Sequence, residues 1–585
     1  MANYNKINKK IDVLTNKNVI NTLVSCVFNK DSLIYSNASG ISERSFKKGL
    51  DNREASLDTK YQIGTMAKFI TAIAIMQLYE KNKLALNKSI RKYLPEFTIK
   101  NRYSEGEITI RDLLTNRSGI PSINYNLYLK KNNNDYHDVL NYLKEQYLIC
   151  PPKTMEAESE LGYTLLGLIV EQVSQMSYED YVTENIFKPM DIDIKFIHEY
   201  KDYGRYRNEM NISYSKLGRE VREKIKCLTP SYSNALLSVN DLVKLFKLFI
   251  NGGAYKDKQI LTKESVDMML DEPIYKGEVE GRDKIGFGLK FTSKYINSLG
   301  KIIIIKGENT YNQIVAILLK DKGMWGVVAS DAYNKADFIE KHCVELLGIQ
   351  IGTTNKTSTS NTTMNYLQCR VEDYAGFYPA KDGGAYIYLS KYLALKYKGE
   401  VYRMRLRHDG YFELKSTKLI NNGDKKLAYF DKNGLLSIVT TKKNGLLFVE
   451  DVGYALKPTT IQRDWKRALG GYKIANYDRY NPYQYKKMKL VIENGYIKMI
   501  LIRKGTKRVV TLGIVNSREA IALGYGTNSN DTVTLNLSNI RYSGMSFDKV
   551  KESSVNKVKV KKIDEEKLRQ KEHKKKIDKM FDLKK

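Results

Sequence analysis

The feature that most constrains the fold is a change in hydrophobic spacing, from strands to helices and back, within the first 350 residues. Near the N-terminus, VINTLVSCVFN and LIYSNASG flank the polar turn KDS. Strand patterns return later in KIIIIKGEN, TYNQIVAILLKDKG and MWGVVASDAY. Helical spacing fills the middle, as in MAKFITAIAIMQLYEKNKL and VNDLVKLFKLFINGG. This order predicts one antiparallel sheet built from both ends of the region and covered by a helical subdomain.

Beyond this region the helical spacing disappears, and short strand patterns alternate with Gly, Asn and Asp turns. The openings VEDYAGFYPA at Val371 and WKRALGGYKI at Trp465 are similar, which predicts two related β-barrel or sandwich domains. The predicted fold class is therefore α+β followed by two all-β domains and a basic tail. The expected parts are a first domain at 1–351, a polar linker at 352–365, β-domains at 366–459 and 460–550, and a helical or disordered tail at 551–585.

The chain has 585 residues and a formal net charge of +31, most of it dispersed. The tail holds 14 Lys/Arg against 7 Asp/Glu. Such charge favours a solvated surface and weak, salt-sensitive contact with an anionic partner, above all through the tail. No zinc-finger, RNP-type or helix-turn-helix pattern is present, so specific nucleic-acid binding is not expected.

The N-terminus lacks the apolar block of a secretory signal, and no apolar run is long enough to span a membrane. We therefore expect a cytoplasmic protein without a transmembrane segment. The five cysteines are odd in number and far apart, which predicts buried thiols in a reducing compartment. The five histidines show no ligand spacing, so neither a metal nor another cofactor is expected.

Several segments together carry a family resemblance: YQIGTMAKFITAIAIMQLYEKNKLALNKSIRKYLPEF, ITIRDLLTNRSGIP and GYTLLGLIVEQVSQMSYEDYVTENIFKPMDI. Over about residues 15–350 the chain resembles class C β-lactamases and their relatives, the serine D,D-peptidases, D-aminopeptidases and esterases. The resemblance implies three catalytic elements: S-x-x-K, Y-x-N or S-x-N, and K-T-G or H-x-G. The serine attacks an amide or ester carbonyl, Lys and Tyr move its proton, and two backbone N–H groups hold the oxyanion.

The first element here is Thr65-Met66-Ala67-Lys68, so that the resemblance places Thr65 at the nucleophile position. Thr65 keeps a hydroxyl, but its β-branch restricts χ1 and adds a methyl where the carbonyl must approach. An alternative is that Thr65 is only the N-cap of the helix. Lys68 opposes the helix dipole, which indicates an inherited catalytic residue rather than a stabilising one.

The second element is Glu158-Ser159-Glu160, with carboxylates at the family's Tyr and Asn positions. Glu158 is expected to pair with Lys68, or alternatively to act as a base on Thr65. An ionised Glu160 would only accept hydrogen bonds, and would remove a donor to the substrate.

The third element is Lys306-Gly307-Glu308, which follows a buried strand. The resemblance aligns Lys306 with the family's lysine and Glu308 with its final glycine, and makes the N–H of Asn309 an oxyanion donor. A carboxylate at Glu308 would be bulky and of the wrong sign beside an oxyanion.

Three carboxylates and two lysines predict a salt-bridge network that joins the sheet to the helical half, or alternatively a cleft for a peptide-like, zwitterionic ligand. The leading interpretation is a catalytically impaired hydrolase-family protein that acts as a binding or scaffold protein. The alternatives are a slow amide or ester hydrolase using Thr65, Lys68 and Glu158, and an anion-binding protein governed by its charge.

Overall fold

The structure is a computed structural model, and it describes most of the chain between residues 4 and 550. The gaps are 18, 46–50, 104–105, 124–135, 199–200, 215–219, 222–228, 230, 232, 272, 274–282, 293–298, 301, 310, 333–335, 352–373, 381–383, 391, 408–409, 418–423, 431–433, 442–446, 457–459, 478–483, 504–505, 524–530 and 537–538. The predicted linker and the predicted tail lie outside the described residues, and both stay predictions.

The first part of the chain, residues 4–351, contains ten α-helices and fifteen strands among its described residues. The helices are α1 (Asn5–Asn16), α2 (Ala67–Glu80), α3 (Ile110–Leu114), α4 (Val139–Lys144), α5 (Glu160–Ser174), α6 (Tyr178–Val182), α7 (Asp202–Arg205), α8 (Val239–Ile250), α9 (Lys263–Leu270) and α10 (Ala336–Ile351). The strands are β1 (Thr22–Phe28), β2 (Leu33–Glu43), β3 (Arg53–Glu54), β4 (Lys60–Gln62), β5 (Lys195–Phe196), β6 (Ser213–Tyr214), β7 (Glu220–Val221), β8 (Ala235–Ser238), β9 (Ala254–Tyr255), β10 (Lys258–Gln259), β11 (Lys284–Ile285), β12 (Lys290–Thr292), β13 (Ile302–Glu308), β14 (Gln313–Leu319) and β15 (Met324–Ser330).

The central sheet joins the two ends of this region, as the order of hydrophobic patterns predicted. Its strand order is β11-β12-β13-β14-β15-β1-β2-β3, and β1 pairs antiparallel with β15. One face packs on α2, α5 and α8 in the largest core cluster. The other face is covered by α1 and α10. The predicted sheet with its helical subdomain is therefore confirmed.

Helix α1 was not predicted from the sequence. Its lysine- and asparagine-rich segment is polar, and few apolar side chains reveal the helical spacing. Ile7 and Ile11 are nevertheless buried one turn apart against the sheet.

The rest of the described chain forms two eight-stranded antiparallel sheets. The first contains β16 (Gly376–Tyr378), β17 (Ala385–Leu389), β18 (Leu393–Tyr397), β19 (Glu400–Leu406), β20 (Phe412–Ser416), β21 (Lys425–Phe430), β22 (Leu435–Thr441) and β23 (Leu447–Tyr454). After α11 (Arg463–Arg467) come β24 (Gly470–Ile474), β25 (Lys487–Glu493), β26 (Tyr496–Arg503), β27 (Thr506–Ile514), β28 (Glu519–Leu523), β29 (Thr532–Leu535), β30 (Asn539–Tyr542) and β31 (Met545–Lys549).

Both sheets follow the chain strand by strand, and the second closes into a barrel where β31 pairs with β24. They also share a local detail at their first strands. The hydroxyl of Tyr378 donates to the carbonyl of Tyr374, and that of Tyr472 donates to the carbonyl of Ala468. In each sheet, a tyrosine hydroxyl thus bonds to the carbonyl of the residue four positions earlier, which supports the predicted relation between the two openings. The two all-β parts of the predicted fold class are confirmed.

The second barrel docks on the helical half of the first part. Glu519 accepts hydrogen bonds from Lys100 and from the hydroxyl of Tyr147, each at 2.8 Å. The backbone N–H of Ser122 donates to the Asp531 carboxylate at 3.2 Å. The carbonyl of Ser122 accepts from the N–H of Glu160 at 2.8 Å. The barrel is thus connected to the start of α5 through the backbone N–H and carbonyl of a single residue, Ser122.

Cys26, Cys150 and Cys343 are buried free thiols. Cys227 and Cys369 lie outside the described residues. Within the described part of the chain, no helix is both long and apolar enough to cross a membrane. The predicted cytoplasmic location stays a prediction.

Candidate active site

Thr65 lies in a 3-10 turn, Gly64–Met66, that leads into α2. Met66 is the N-cap of α2, and its side chain makes no capping hydrogen bond. The alternative that Thr65 caps this helix is therefore wrong. The Thr65 hydroxyl instead donates to the carbonyl of Lys306 at 3.2 Å and accepts a long hydrogen bond from the N–H of Glu308 at 3.4 Å.

Lys68 and Glu158 form an ion pair between α2 and the segment that precedes α5. The Lys68 side chain is 13% exposed, so its ammonium is largely withdrawn from water. Asn116 holds the backbone on both sides of Glu158, since its carbonyl accepts from Ala157 N–H at 2.8 Å and its Oδ1 accepts from Ser159 N–H at 3.2 Å. Asn116 has a φ of 52°, a left-handed conformation that asparagine tolerates better than most residues.

Glu160 is buried at the start of α5, with 5% of its surface exposed. The Thr229 hydroxyl is 3.5 Å from its Oε1, and Glu160 makes no ion pair with a described residue. Burial raises the pKa of this carboxyl to about 8, against smaller opposing effects of Thr229 and Lys68. The expectation that Glu160 is ionised and only accepts hydrogen bonds does not fit this environment, because a neutral carboxyl also donates.

Ser159 does not offer a substitute nucleophile. Its hydroxyl caps α5 by accepting from the N–H of Gly162 at 2.9 Å, and it donates to the carbonyl of Pro121 at 2.7 Å. Tyr163 does not offer a substitute base either. Its ring centroid lies 5.9 Å from the Lys68 ammonium, but its buried hydroxyl donates to the carbonyl of Leu114, and burial raises its pKa.

Gly307 is the residue of β13 that allows the strand to approach the turn Gly64–Met66, which carries Thr65. A Cβ at this position would lie 2.0 Å from the carbonyl oxygen of Ile63 and 2.9 Å from Cβ of Met66. Because side chains alternate along a strand, Ile305 shares the face of Gly307, and both face the helical half. In the family pattern, the first and last residues of the third element share one face. The element is therefore Ile305-Lys306-Gly307.

The expected alignment of Lys306 and Glu308 with the third element is consequently wrong by one residue. Because side chains alternate along a strand, both side chains lie on the face of the sheet that points away from Thr65. Lys306 forms an ion pair with the buried Glu340 of α10, behind the sheet. Glu308 is exposed on the same side of the strand. Its carboxylate therefore does not lie beside Thr65. Lys306 pairs behind the sheet, on the side opposite to Lys68, so the predicted single network of these lysines and carboxylates is wrong.

The proposed oxyanion donor also changes. The N–H of Asn309 bonds to the carbonyl of Asn312 at 3.1 Å and closes the turn between β13 and β14. Its Oδ1 accepts from the N–H groups of Tyr311 and Asn312, at 2.9 and 2.7 Å. Asn309 is thus a turn residue, and the backbone N–H that points at Thr65 is that of Glu308.

Among the residues that the structure describes, the site brings together the Thr65 hydroxyl, the Lys68 ammonium and the carboxyl groups of Glu158 and Glu160, with Ile305 where the family pattern has a lysine or a histidine. Sequence reasoning missed Asn116 and Ile305. Asn116 had a signal in its asparagine-containing loop, TNRSG, whereas nothing in the run of isoleucines revealed the face that Ile305 takes. The described residues include no group of three or more His, Cys, Asp or Glu able to hold a metal ion.

Comparison with known proteins bears on the family and the fold of the chain. A family model described as Beta-lactamase matches residues 7–344. Protein flp of Staphylococcus aureus (strain MW2) is 35% identical over 138 residues, which cover 23% of this chain and 28% of that protein. Beta-lactamase-like protein 4 of Dictyostelium discoideum is 28% identical over 200 residues, covering 32% and 35%. The chain thus spans about a third of the length of these curated relatives.

Two solved structures cover more of the chain. The octameric penicillin-binding protein homologue from Pyrococcus abyssi has a TM-score of 0.50 at 20% identity and covers 76% of this chain and 99% of its own. SurE with D-Leu has a TM-score of 0.53 at 17% identity, with coverages of 77% and 99%. At these identities the similarity shows a shared fold.

Proposed function

The chain belongs to the beta-lactamase family, and from that premise we propose that it is a catalytically impaired member that acts by binding rather than by hydrolysis. Acyl transfer in this scaffold needs a hydroxyl whose proton a neighbouring base can take. The proposal depends on where the hydroxyl and the candidate bases are bonded.

One observation carries the proposal: the proton of Thr65 is directed at a backbone carbonyl, while Lys68 is bonded to a carboxylate. Thr65 donates to Lys306 O and makes no hydrogen bond with Lys68 or Glu158. A lysine ammonium in an ion pair has no lone pair with which to accept that proton. Loss of a positioned base costs about 10²–10⁴ in rate.

We infer that the groups around Thr65 suit a small peptide-like ligand with both charges. Lys68 and Glu158 present opposite charges, and a neutral Glu160 can both donate and accept. SurE, which has the same fold, was solved with D-Leu, so D-Leu is a reasonable first probe. We expect D-Leu binding to weaken in Glu158→Gln and to be unchanged in Glu264→Gln, an exposed carboxylate elsewhere on the domain. Isothermal titration calorimetry measures both.

A slow amide or ester hydrolase is the second candidate, because one favourable feature remains. The N–H of Glu308 still lies at the Thr65 hydroxyl, where an oxyanion donor belongs. A retained donor of this kind is worth about 10²–10³ in rate. In this candidate, Thr65 turns away from Lys306 when substrate binds, and Glu158 takes its proton.

A labelled penicillin and a chromogenic cephalosporin distinguish the two candidates. We expect intact-mass spectrometry to find no acyl adduct on the wild-type protein after hours of incubation, and no cephalosporin turnover above that of Thr65→Ala. An adduct that forms on the wild type and is absent from Thr65→Ala would establish the hydrolase instead.

A further inference from the structure

The second barrel has a small cleft at the end where its last strand leaves the fold. The cleft has a volume of about 240 Å³ and lies between α11, the turn that joins β27 to β28, and β31. Three cations and one carboxylate line it: Arg467, Arg518, Lys549 and Asp464. None of them belongs to the group of residues around Thr65 described above.

Two of the three cationic side chains of this cleft make no bond within the described part of the chain, and the third bonds only to a backbone carbonyl. The guanidinium groups of Arg467 and Arg518 make no hydrogen bond or ion pair with any described residue. The Lys549 ammonium donates to the backbone carbonyl of Arg467 at 2.6 Å, which fixes its position without neutralising its charge. Like charges gathered around one concave surface repel each other, and a bound anion would relieve that repulsion.

Amide groups add to the donors of the cleft. The side-chain amide of Asn536 donates to Oδ1 of Asn539 at 2.9 Å. That bond orients the Asn539 amide and leaves its Nδ2 without a partner among the described residues. The lining therefore offers guanidinium forks, an ammonium and an amide to one ligand.

The charge and size of the cleft select the anion. Three cations against one carboxylate leave an excess of two positive charges, and a phosphate monoester carries about −1.5 to −2 at pH 7. Arginine forks match the geometry of phosphate oxygens. A cleft of 240 Å³ is smaller than the roughly 300–1,000 Å³ that drug-sized ligands occupy, so it accommodates a phosphate group and not a large molecule.

The chain around the cleft is also basic. The described barrel ends at Val550, directly after Lys549, and residues 551–585 carry 14 Lys/Arg against 7 Asp/Glu. The sequence that follows the barrel therefore carries no net negative charge that would oppose binding of an anion. We propose that this cleft binds the phosphate group of a small phosphorylated ligand, at a site separate from the family's active-site pocket.

The experiment titrates inorganic phosphate and glycerol 1-phosphate into the full-length protein at constant ionic strength and pH 8. We expect one saturable site, and roughly tenfold weaker binding in Arg467→Gln and in Arg518→Gln, because each removes charged hydrogen bonds. Both side chains are exposed, so the substitutions are not expected to unfold the barrel. Binding of glycerol 1-phosphate is expected to weaken at pH 5, where the phosphate gains a proton.

Two matched variants locate the site. Arg541→Gln removes an exposed arginine from β30 outside the cleft, and a triple change of Lys574, Lys575 and Lys576 to Gln reduces the tail charge. Neither is expected to alter phosphate affinity by more than about twofold, since both leave every charged hydrogen bond of the cleft in place. The proposal is overturned by the absence of saturable binding, or by an equal loss of affinity in these control variants.

Discussion

Glu160 is a carboxyl group whose ionisation the fold opposes. An unfolded glutamate titrates near pH ~4.3, whereas burial raises the pKa of Glu160 to about 8. Between these values the folded protein holds one more proton than the unfolded chain. Raising the pH through this window therefore lowers the free energy of unfolding, and the loss is complete above about pH 8.

Replacing this carboxyl by an amide should flatten the pH profile of stability. Between pH 5 and 8 we expect the free energy of unfolding of the wild type to fall by about a few kcal/mol. This fall should be absent from Glu160→Gln, because the amide has no proton to lose. Urea denaturation at successive pH values measures it, with the exposed Glu264→Gln as control. Parallel profiles for wild type and Glu160→Gln would contradict the assignment.

Ile305 is the second residue with a specific consequence. It occupies the position from which the family presents a lysine or a histidine, and it is fully buried. Its aliphatic side chain adds no cation to that of Lys68. Introducing a cation or an imidazole at this position should therefore change hydrolytic activity more than a substitution of Lys306 or Glu308, whose side chains lie on the other face of the sheet.

A reconstruction experiment tests this register. In a Thr65→Ser, Glu158→Tyr, Glu160→Asn background, Ile305→His is expected to raise chromogenic cephalosporin hydrolysis by about 10²-fold or more, as a positioned proton-transfer group does. Glu308→Gly, which the motif alignment alone would select, should leave the rate unchanged. Circular dichroism checks that each variant is folded. A gain from Glu308→Gly and none from Ile305→His would refute the register.

At the scale of elements, β13 and the turn before α2 are fitted to each other through two glycines. Gly64 has a φ of 54°, and a Cβ on it would lie 2.2 Å from the carbonyl oxygen of Glu308. Gly307 meets the same turn from the strand side. The short separation of these backbones places the Thr65 hydroxyl within hydrogen-bonding distance of β13.

Gly307→Ala should therefore separate the strand from the turn. Because its methyl would occupy the space of the Ile63 carbonyl, we expect the free energy of unfolding to fall by about 1–3 kcal/mol. Gly471→Ala in β24 is the matched control, since its Cβ would have no heavy atom within 4 Å. That control should leave stability unchanged or raise it by about 0.5–1 kcal/mol. Equal effects of the two substitutions would argue against the close contact.

The elements differ in how far the sequence could predict them. The helices α2, α5 and α8 have apolar residues at helical spacing, and the sheet order followed from strands at both ends. Strand β13 was predicted, but the apolar run Ile302–Ile305 is buried on both faces. Such a run carries no alternation, so it does not reveal which face each residue takes. For the same reason Lys306 and Glu308 were placed one position out of register, whereas the Lys68–Glu158 pair followed from motif spacing alone.

At the scale of the whole molecule, Asp531 links the second barrel to the helical half of the first part of the chain. It is fully buried, accepts from the Ser122 N–H at 3.2 Å, and is bonded by the hydroxyl of Ser543. Burial raises its pKa to about 7. The folded carboxyl therefore holds its proton above the usual range of aspartate, and its contribution to stability falls as pH rises from about 4 to 7.

Removing this carboxyl should loosen the docking of the barrel. We expect Asp531→Ala to lower the free energy of unfolding by about 1–3 kcal/mol, because it leaves the buried Ser122 N–H without a partner. We also expect the barrel to unfold before the first part of the chain. Differential scanning calorimetry should then resolve two transitions. The exposed Asp548→Ala of β31 serves as control and should retain the wild-type trace, whereas an unchanged trace for Asp531→Ala would show that the link is not needed.

The pairing of β1 with β15 has a consequence for biosynthesis. The two strands are about 300 residues apart in the chain, and ribosomes add about 5–20 residues per second. The nascent N-terminal hairpin therefore waits roughly 15–60 s with the apolar edge of β1 uncovered, which is long enough for encounters with other chains. During that interval, chaperones that bind extended apolar segments would protect a chain whose sheet cannot close until most of the first domain has been translated.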